Sequence, residues 1–91
     1  MAEQAPNFVA ECYWPDVREE DVRKLDRRIA SSLADDVRYL GSVLIRDDEV
    51  VLCHFEGTAA AIRRVAERAH VPYERLLAAT VNSLAEERTQ R

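Results

Sequence analysis

The chain has 91 residues, a length that indicates a single domain. It has 17 acidic and 13 basic side chains and a net charge of −4 at pH 7. The acidic balance disfavours nucleic acid as the main partner, because phosphate contacts need a concentrated basic face. No apolar run approaches the roughly 18 residues of a membrane span, and no charged-then-apolar leader opens the chain. We therefore expect a cytoplasmic protein without a membrane partner, in which Cys12 and Cys53 are reduced, buried thiols.

The first predicted elements are a strand and an amphipathic helix. Residues Phe8–Tyr13 are predicted as a strand, and Pro15 ends it. Asp16 and Glu19 have the spacing of a capping box, which predicts a helix start. The apolar stripe of this helix, which should end near Asp35, contains Val22, Leu25, Ile29 and Leu33.

Two further strands follow the first helix. Residues Arg38–Arg46 and Glu49–Glu56 are predicted as the second and third strands. Only Asp47 and Asp48 separate them, so we expect a tight antiparallel hairpin.

A second helix and a last strand complete the pattern. Thr58 is predicted to be the N-cap of this helix, and His70 stands where a helix often ends on a left-handed glycine. Pro72 then prevents the helix from continuing, and Arg75–Val81 is predicted as the last strand. The apolar stripe of the second helix contains Ile62, Val65, Ala66 and Ala69.

This element order, βαββαβ, is that of a ferredoxin-like α+β fold. Right-handed crossovers place both helices on one face of a four-stranded antiparallel sheet, with the first and third strands adjacent in the middle. We expect a frayed leader over residues 1–7, one domain over 8–81 and a polar tail over 82–91.

Alternation along the strands divides the side chains between two sheet faces. One face is apolar apart from a tyrosine hydroxyl, and is predicted to form the core under the helices with Phe8, Ala10, Cys12, Tyr39, Val43, Ile45, Val51, Cys53 and Phe55. The other face mixes aliphatic and polar groups and is predicted to carry Val9, Glu11, Tyr13, Leu40, Ser42, Leu44, Val50, Leu52, His54 and Glu56. A sheet face open to water rarely carries so many aliphatic groups. We therefore expect two copies to pack face to face as a dimeric α/β barrel that encloses a partly polar cavity.

Three segments of the chain carry a family resemblance: E-C-Y-W-P-D-V-R-E-E-D-V from Glu11, V-R-Y-L-G-S-V-L-I-R-D-D-E-V-V-L-C-H-F-E-G from Val37 and V-A-E-R-A-H-V-P-Y-E-R-L from Val65. They resemble a bacterial family of small domains of unknown function, one of whose better-known members is described as a nickel-binding protein. The resemblance implies a ferredoxin-like fold and a dimeric α/β barrel. The chain departs from the expected pattern at His54, where an aliphatic residue is common, and at His70, where glycine is common.

Glu11 and His54 are the main candidate site residues, because they are predicted to share the open face on adjacent central strands. A carboxylate beside an imidazole fixes its tautomer, which suits proton transfer with His54 as base and Glu11 orienting it. The same pair would supply two ligands to a transition metal such as nickel, completed by the dimer mate. The structural alternative is a hydrogen-bonded pair that only sets strand register.

The first functional hypothesis is a homodimeric domain that binds a small molecule in the barrel cavity. Its predicted ligand-binding residues are Glu11, Tyr13, Ser42, His54 and Glu56. The alternatives are a cofactor-free proton-transfer enzyme of isomerase, cyclase or oxygenase-like type, a nickel or other transition-metal-binding protein, and a purely structural interaction module. We expect no cofactor apart from such a metal.

Overall fold

The structure, a computed structural model, describes residues 6–82 and confirms the predicted ferredoxin-like α+β fold. The strands and helices in chain order are β1 (Asn7–Tyr13), α1 (Glu19–Ser31), β2 (Arg38–Ile45), β3 (Val50–Glu56), α2 (Ala59–Arg68) and β4 (Arg75–Ala79). Within the described range the strands form one antiparallel sheet in the order β2-β3-β1-β4. The predicted central position of the first and third strands is therefore confirmed.

Two predicted strand limits differ slightly from the structure. The first strand is predicted to begin at Phe8, but β1 begins at Asn7, which pairs with both Glu56 and Ala79. The last strand ends at Ala79 rather than Val81. The predicted polar tail lies outside the described residues from position 83 onward. No helix within residues 6–82 is both long and apolar enough to cross a membrane.

Helix α1 starts and ends differently from the prediction. Its N-cap is Arg18, whose backbone N–H donates to the Asp21 carboxylate at 2.9 Å. Asp16 instead adopts a left-handed conformation at φ 62°. The helix ends at Ser31, because the Ser32 N–H turns to the Ile29 carbonyl in the tighter i→i−3 pattern.

Both ends of α2 agree with the prediction. The Thr58 side chain accepts a hydrogen bond from the Ala61 N–H, as expected for an N-cap. His70 has φ 57°, and the N–H of Val71 donates to the carbonyl of Ala66 at 2.9 Å. This is a Schellman ending in which histidine takes the position that glycine usually occupies.

Arginines from each helix satisfy the carbonyl end of the other. Arg28 on α1 donates from Nε to the Ala69 carbonyl at 2.9 Å and from Nη2 to the His70 carbonyl at 3.2 Å. Arg68 on α2 donates to the Ser32 carbonyl at 3.0 Å. The two helix C-termini are thereby fixed to each other on the outer surface of the domain.

The core lies between the helices and the face of the sheet that they cover. It contains the helix stripes and alternate residues of the central strands, and its fully buried members include Ala10, Cys12, Leu25, Ile29, Val51, Cys53, Phe55, Ile62 and Val65. Both cysteines are free thiols. The pKa of the Cys12 thiol is raised mainly by its hydrogen bond to Cys53 and, to a smaller extent, by burial. This thiol is therefore held in its unreactive protonated form.

A β-bulge in β2 overturns part of the predicted face assignment. Tyr39 pairs with Phe55, but Gly41 pairs with the next residue of β3, His54, so Leu40 is an extra residue. One extra residue inverts the alternation for the rest of the strand. The prediction that Val43 and Ile45 lie in the core is therefore wrong, and they are 57% and 37% exposed.

The bulge also moves Ser42 and Leu44 to the helix-covered face. Leu44 packs against the core there. The Ser42 hydroxyl donates to the Asp26 carboxylate of α1 at 3.0 Å, and the Tyr39 hydroxyl donates to the same carboxylate at 2.5 Å. Burial is the largest of the causes that raise the pKa of Tyr39. Asp26 thus anchors α1 to the edge strand β2.

Replacement of Asp26 should release this anchor. In Asp26→Ala the half-buried hydroxyls of Tyr39 and Ser42 lose their common acceptor, so we expect a loss of about 1–3 kcal/mol in the free energy of unfolding. Urea denaturation measures this loss. Asp35→Ala is the control, because Asp35 is exposed, and it should change stability by less than about 0.5 kcal/mol. Equal stability of the two variants would contradict the anchoring role.

Candidate functional site

The sheet face turned away from the helices, which we call the open face, has four rows of side chains defined by the strand register. The outermost row combines Arg38, Glu56, Asn7 and Ala79. The next three rows contain Gly41, His54, Val9 and Leu77, then Val43, Leu52, Glu11 and Arg75, and finally Ile45, Val50 and Tyr13. Polar pairs and aliphatic groups are therefore mixed on the same surface.

His54 lies in the second row and is oriented by Asn7. Its Nε2 is 2.7 Å from the Asn7 Oδ1. An amide oxygen only accepts hydrogen bonds, so the imidazole proton lies on Nε2 and, in the neutral ring, Nδ1 carries a lone pair. Sequence reasoning missed Asn7, although its spacing of two from Val9 would have placed it on this face.

Glu11 lies in the third row and is bound by Arg75. The Arg75 Nε donates to Glu11 Oε1 at 2.7 Å. This hydrogen bond, with the charge of the guanidinium, lowers the pKa of Glu11 below its usual range. Arg75 was also missed, because only the register of β1 with β4 shows that it lies directly opposite Glu11.

The structure places Glu11 and His54 diagonally rather than opposite each other. Leu52 is opposite Glu11, and Val9 is opposite His54. Diagonal neighbours of this kind are about 7–8 Å apart, and each of the two side chains has its own hydrogen-bond partner. The expectation that Glu11 orients His54 does not hold in this arrangement, because Asn7 makes that contact.

The remaining predicted ligand-binding residues fall into two groups. Tyr13 and Glu56 lie on the open face as predicted, Tyr13 being 52% exposed and Glu56 accepting from Arg38 Nη1 at 3.0 Å. Ser42 does not lie there, because the bulge turns it toward Asp26. The open face thus gains Val43 and Ile45 and loses Ser42 as a polar contact.

Metal binding by Glu11 and His54 stays a prediction. Among residues 6–82 no group of three or more histidine, cysteine, aspartate or glutamate side chains is placed to hold a metal ion. His70 is exposed at the end of α2, on the helix-covered side of the molecule.

The ion pair on the open face should respond to pH. We expect Arg75→Gln to raise the pKa of Glu11 toward the ordinary value of a glutamate, because the main cause of its lowering is removed. A lowered pKa in the folded state stabilises the protein above the pKa of the unfolded chain, and this contribution is lost as the pH falls through the folded value. Carboxyl ¹³C titration measures the change.

Arg38→Gln is the matched control for this titration, because Arg38 pairs with Glu56 two rows away. It should leave the Glu11 titration unchanged. An Arg75→Gln variant whose Glu11 titrates as in the wild type would contradict the assignment of the pair.

The backbone of this domain is similar to a solved structure, that of SCO4226 from Streptomyces coelicolor A3(2). The TM-score is 0.75 at 16% sequence identity, over 85% of this chain and 99% of that one. No family model matches the chain, and no curated protein matches it. At this identity the likeness shows the fold alone, so the comparisons establish a small ferredoxin-like α+β fold that a bacterial protein shares.

Proposed function

We propose that the domain is a homodimeric ligand-binding protein, in which two open faces pack together and hold a small molecule between them. The observation that carries this proposal is the exposure of large apolar groups on one sheet face. Tyr13, Val43, Ile45 and Leu77 are each more than one-third exposed, while the opposite face of the same sheet is covered by helices. A surface of this kind in a small domain favours association.

The charges of the open face favour a second copy as the partner. Its two guanidinium groups within the described residues, Arg38 and Arg75, are each paired with a carboxylate of the same chain. The face is therefore close to neutral, and a two-fold contact brings no like charges together unpaired. A strongly acidic or basic partner would instead have to break these pairs.

The mixed rows favour a cavity over a dry interface. His54 and Asn7 lie beside the aliphatic side chains of Val9 and Leu52, and polar groups of this kind need partners when an interface removes water. Gly41, next to His54, contributes no side chain that would fill the space. A small molecule between the two sheets would supply hydrogen-bond partners for these polar groups and would fill the space beside Gly41.

Sedimentation velocity tests the dimer. We expect the wild type to sediment as a dimer and Val43→Glu as a monomer, because the new charge would be buried at the contact. Ala60→Glu on the exposed surface of α2 is the control, since it adds the same charge outside the contact and should remain dimeric. A monomeric wild type, or a dimeric Val43→Glu, would contradict the proposal.

A proton-transfer enzyme is a second candidate, favoured by the hydrogen bond that holds His54 in one orientation. In this version His54 takes the proton through Nδ1 while Asn7 fixes the tautomer. The distinguishing experiment is a pH–rate profile with a hydroxylated or enolisable substrate. If His54 is the general base, the histidine-dependent limb of this profile should be absent in His54→Ala.

A further inference from the structure

His54 has one ring nitrogen engaged and one available. Nε2 is bound to the Asn7 Oδ1, and Nδ1 makes no hydrogen bond to any residue in the range 6–82. That same range contains no side-chain nitrogen or oxygen that is buried without a partner. Nδ1 is therefore reachable from outside the protein, and in the neutral ring it only accepts hydrogen bonds.

The space beside His54 is set by the β-bulge. Gly41 is the β2 residue paired with His54, and an added Cβ at Gly41 would meet no atom within 4 Å. On the other side of His54 the row continues with Val9 and Leu77. The imidazole is thus flanked by an open position on β2 and by aliphatic groups on β1 and β4.

The charges nearby disfavour an ionic ligand. Arg38 and Arg75 are already bound to Glu56 and Glu11, at 3.0 Å and 2.7 Å. An anion would have to compete with these carboxylates, and a cation would have to displace a guanidinium. A neutral molecule requires neither exchange.

We propose that the site recognises a neutral, largely apolar molecule through an O–H group that donates to His54 Nδ1, with Asn7 as the positioning residue that holds the neutral ring in its Nε2–H tautomer. This inference rests on the proposed function, since it names the ligand class of the same site. It also assigns Gly41 a role, because the missing side chain leaves room for the body of the ligand next to the imidazole.

Asn7 has a testable spectroscopic effect that does not depend on any ligand. The chain has two histidines, and ¹⁵N-histidine NMR at mildly alkaline pH reports the tautomer of each. We expect His54 in the Nε2–H form. Asn7→Leu should allow both tautomers, whereas Asn7→Asp should retain the Nε2–H form, because a carboxylate oxygen still accepts its hydrogen bond. His70, exposed on the other side of the molecule, is the internal reference.

The ligand class is tested with 2-naphthol and its methyl ether, 2-methoxynaphthalene, titrated by calorimetry. The two probes share the aromatic body, but only 2-naphthol donates a hydrogen bond. We expect 2-naphthol to bind about tenfold more tightly, the effect of one hydrogen bond of ordinary strength. This preference should fall in Asn7→Leu and disappear in His54→Phe, which keeps a ring of similar size.

The outcomes separate the inference from the function on which it rests. Equal binding of the two probes, or an Nδ1–H tautomer in the wild type, would overturn the inference and leave the dimer cavity standing. Failure of both probes to bind a protein that sediments as a dimer would overturn the inferred ligand class and leave the dimer contact standing. A monomeric wild type would instead remove the proposed function itself.

Discussion

Phe55→Ala should lower the free energy of unfolding by about 3–5 kcal/mol, the range for removing a fully buried aromatic side chain. Phe55 lies in the central strand β3 with no exposed surface, and its ring centroid is 5.0 Å from that of Tyr39. The substitution removes the apolar contacts of the ring and leaves a cavity under both helices. For a domain of this size we expect the thermal midpoint to fall by roughly 4–8 °C per kcal/mol.

Urea denaturation at one fixed protein concentration measures this loss, because dimerisation would make stability depend on concentration. Phe55→Leu is the control. It keeps most of the buried volume and should cost less than about 1.5 kcal/mol. A Phe55→Ala variant as stable as Phe55→Leu would show that this part of the core is not packed as described.

Gly57→Ala should cost about 2–4 kcal/mol, because two effects combine at this position. Gly57 has φ +149°, a conformation that side chains disfavour, and an added Cβ would lie 2.8 Å from the backbone oxygen of Asp36. The obstructing atom belongs to the backbone that leads into β2, so it has no side-chain freedom to move away. The Gly57 N–H also donates to the Pro6 carbonyl at 2.9 Å, which limits movement of Gly57 itself.

Gly41→Ala is the matched comparison. Gly41 also has a positive φ, +122°, but an added Cβ would meet nothing within 4 Å. We expect a cost of about 1–2 kcal/mol there, from backbone strain alone. The difference between the two variants, measured by urea denaturation, isolates the close approach at Gly57. An equal cost at both positions would contradict the clash with Asp36.

The fold was predictable from sequence because its signals are local and repeated. The alternation in β1 and β3 correctly placed Ala10, Cys12, Val51, Cys53 and Phe55 in the core. The stripe of α1 was correct except at Leu33, which lies beyond the helix end and is 38% exposed. Both helices, the hairpin and the order of the strands followed from patterns of this kind.

The error in β2 has a single physical cause. Strict alternation assumes an unbroken ladder, and one extra residue inverts every later position. The isolated glycine in Y-L-G-S was the available signal, since glycine inside a strand often marks a bulge. With the bulge at Leu40, Ser42 leaves the open face and Val43 and Ile45 join it.

The candidate site was predictable only in part, because its contacts depend on register between strands distant in sequence. Alternation along the strands placed Glu11 and His54 on the correct face, but it did not identify their hydrogen-bond partners. Asn7 and Arg75 become visible as those partners only when β1 is aligned with β3 and β4. Composition carries no information about that alignment.

The most direct test of the central proposal is an isotope-filtered NOE experiment on a mixture of ¹³C-labelled and unlabelled wild-type protein. If two open faces pack together, NOEs will connect the methyl groups of Val43, Leu52 and Leu77 in one copy with open-face protons of the other. If intermolecular NOEs are absent at high concentration, or come from the helix surface around Ala60, the open face is not the contact and the shared cavity does not exist.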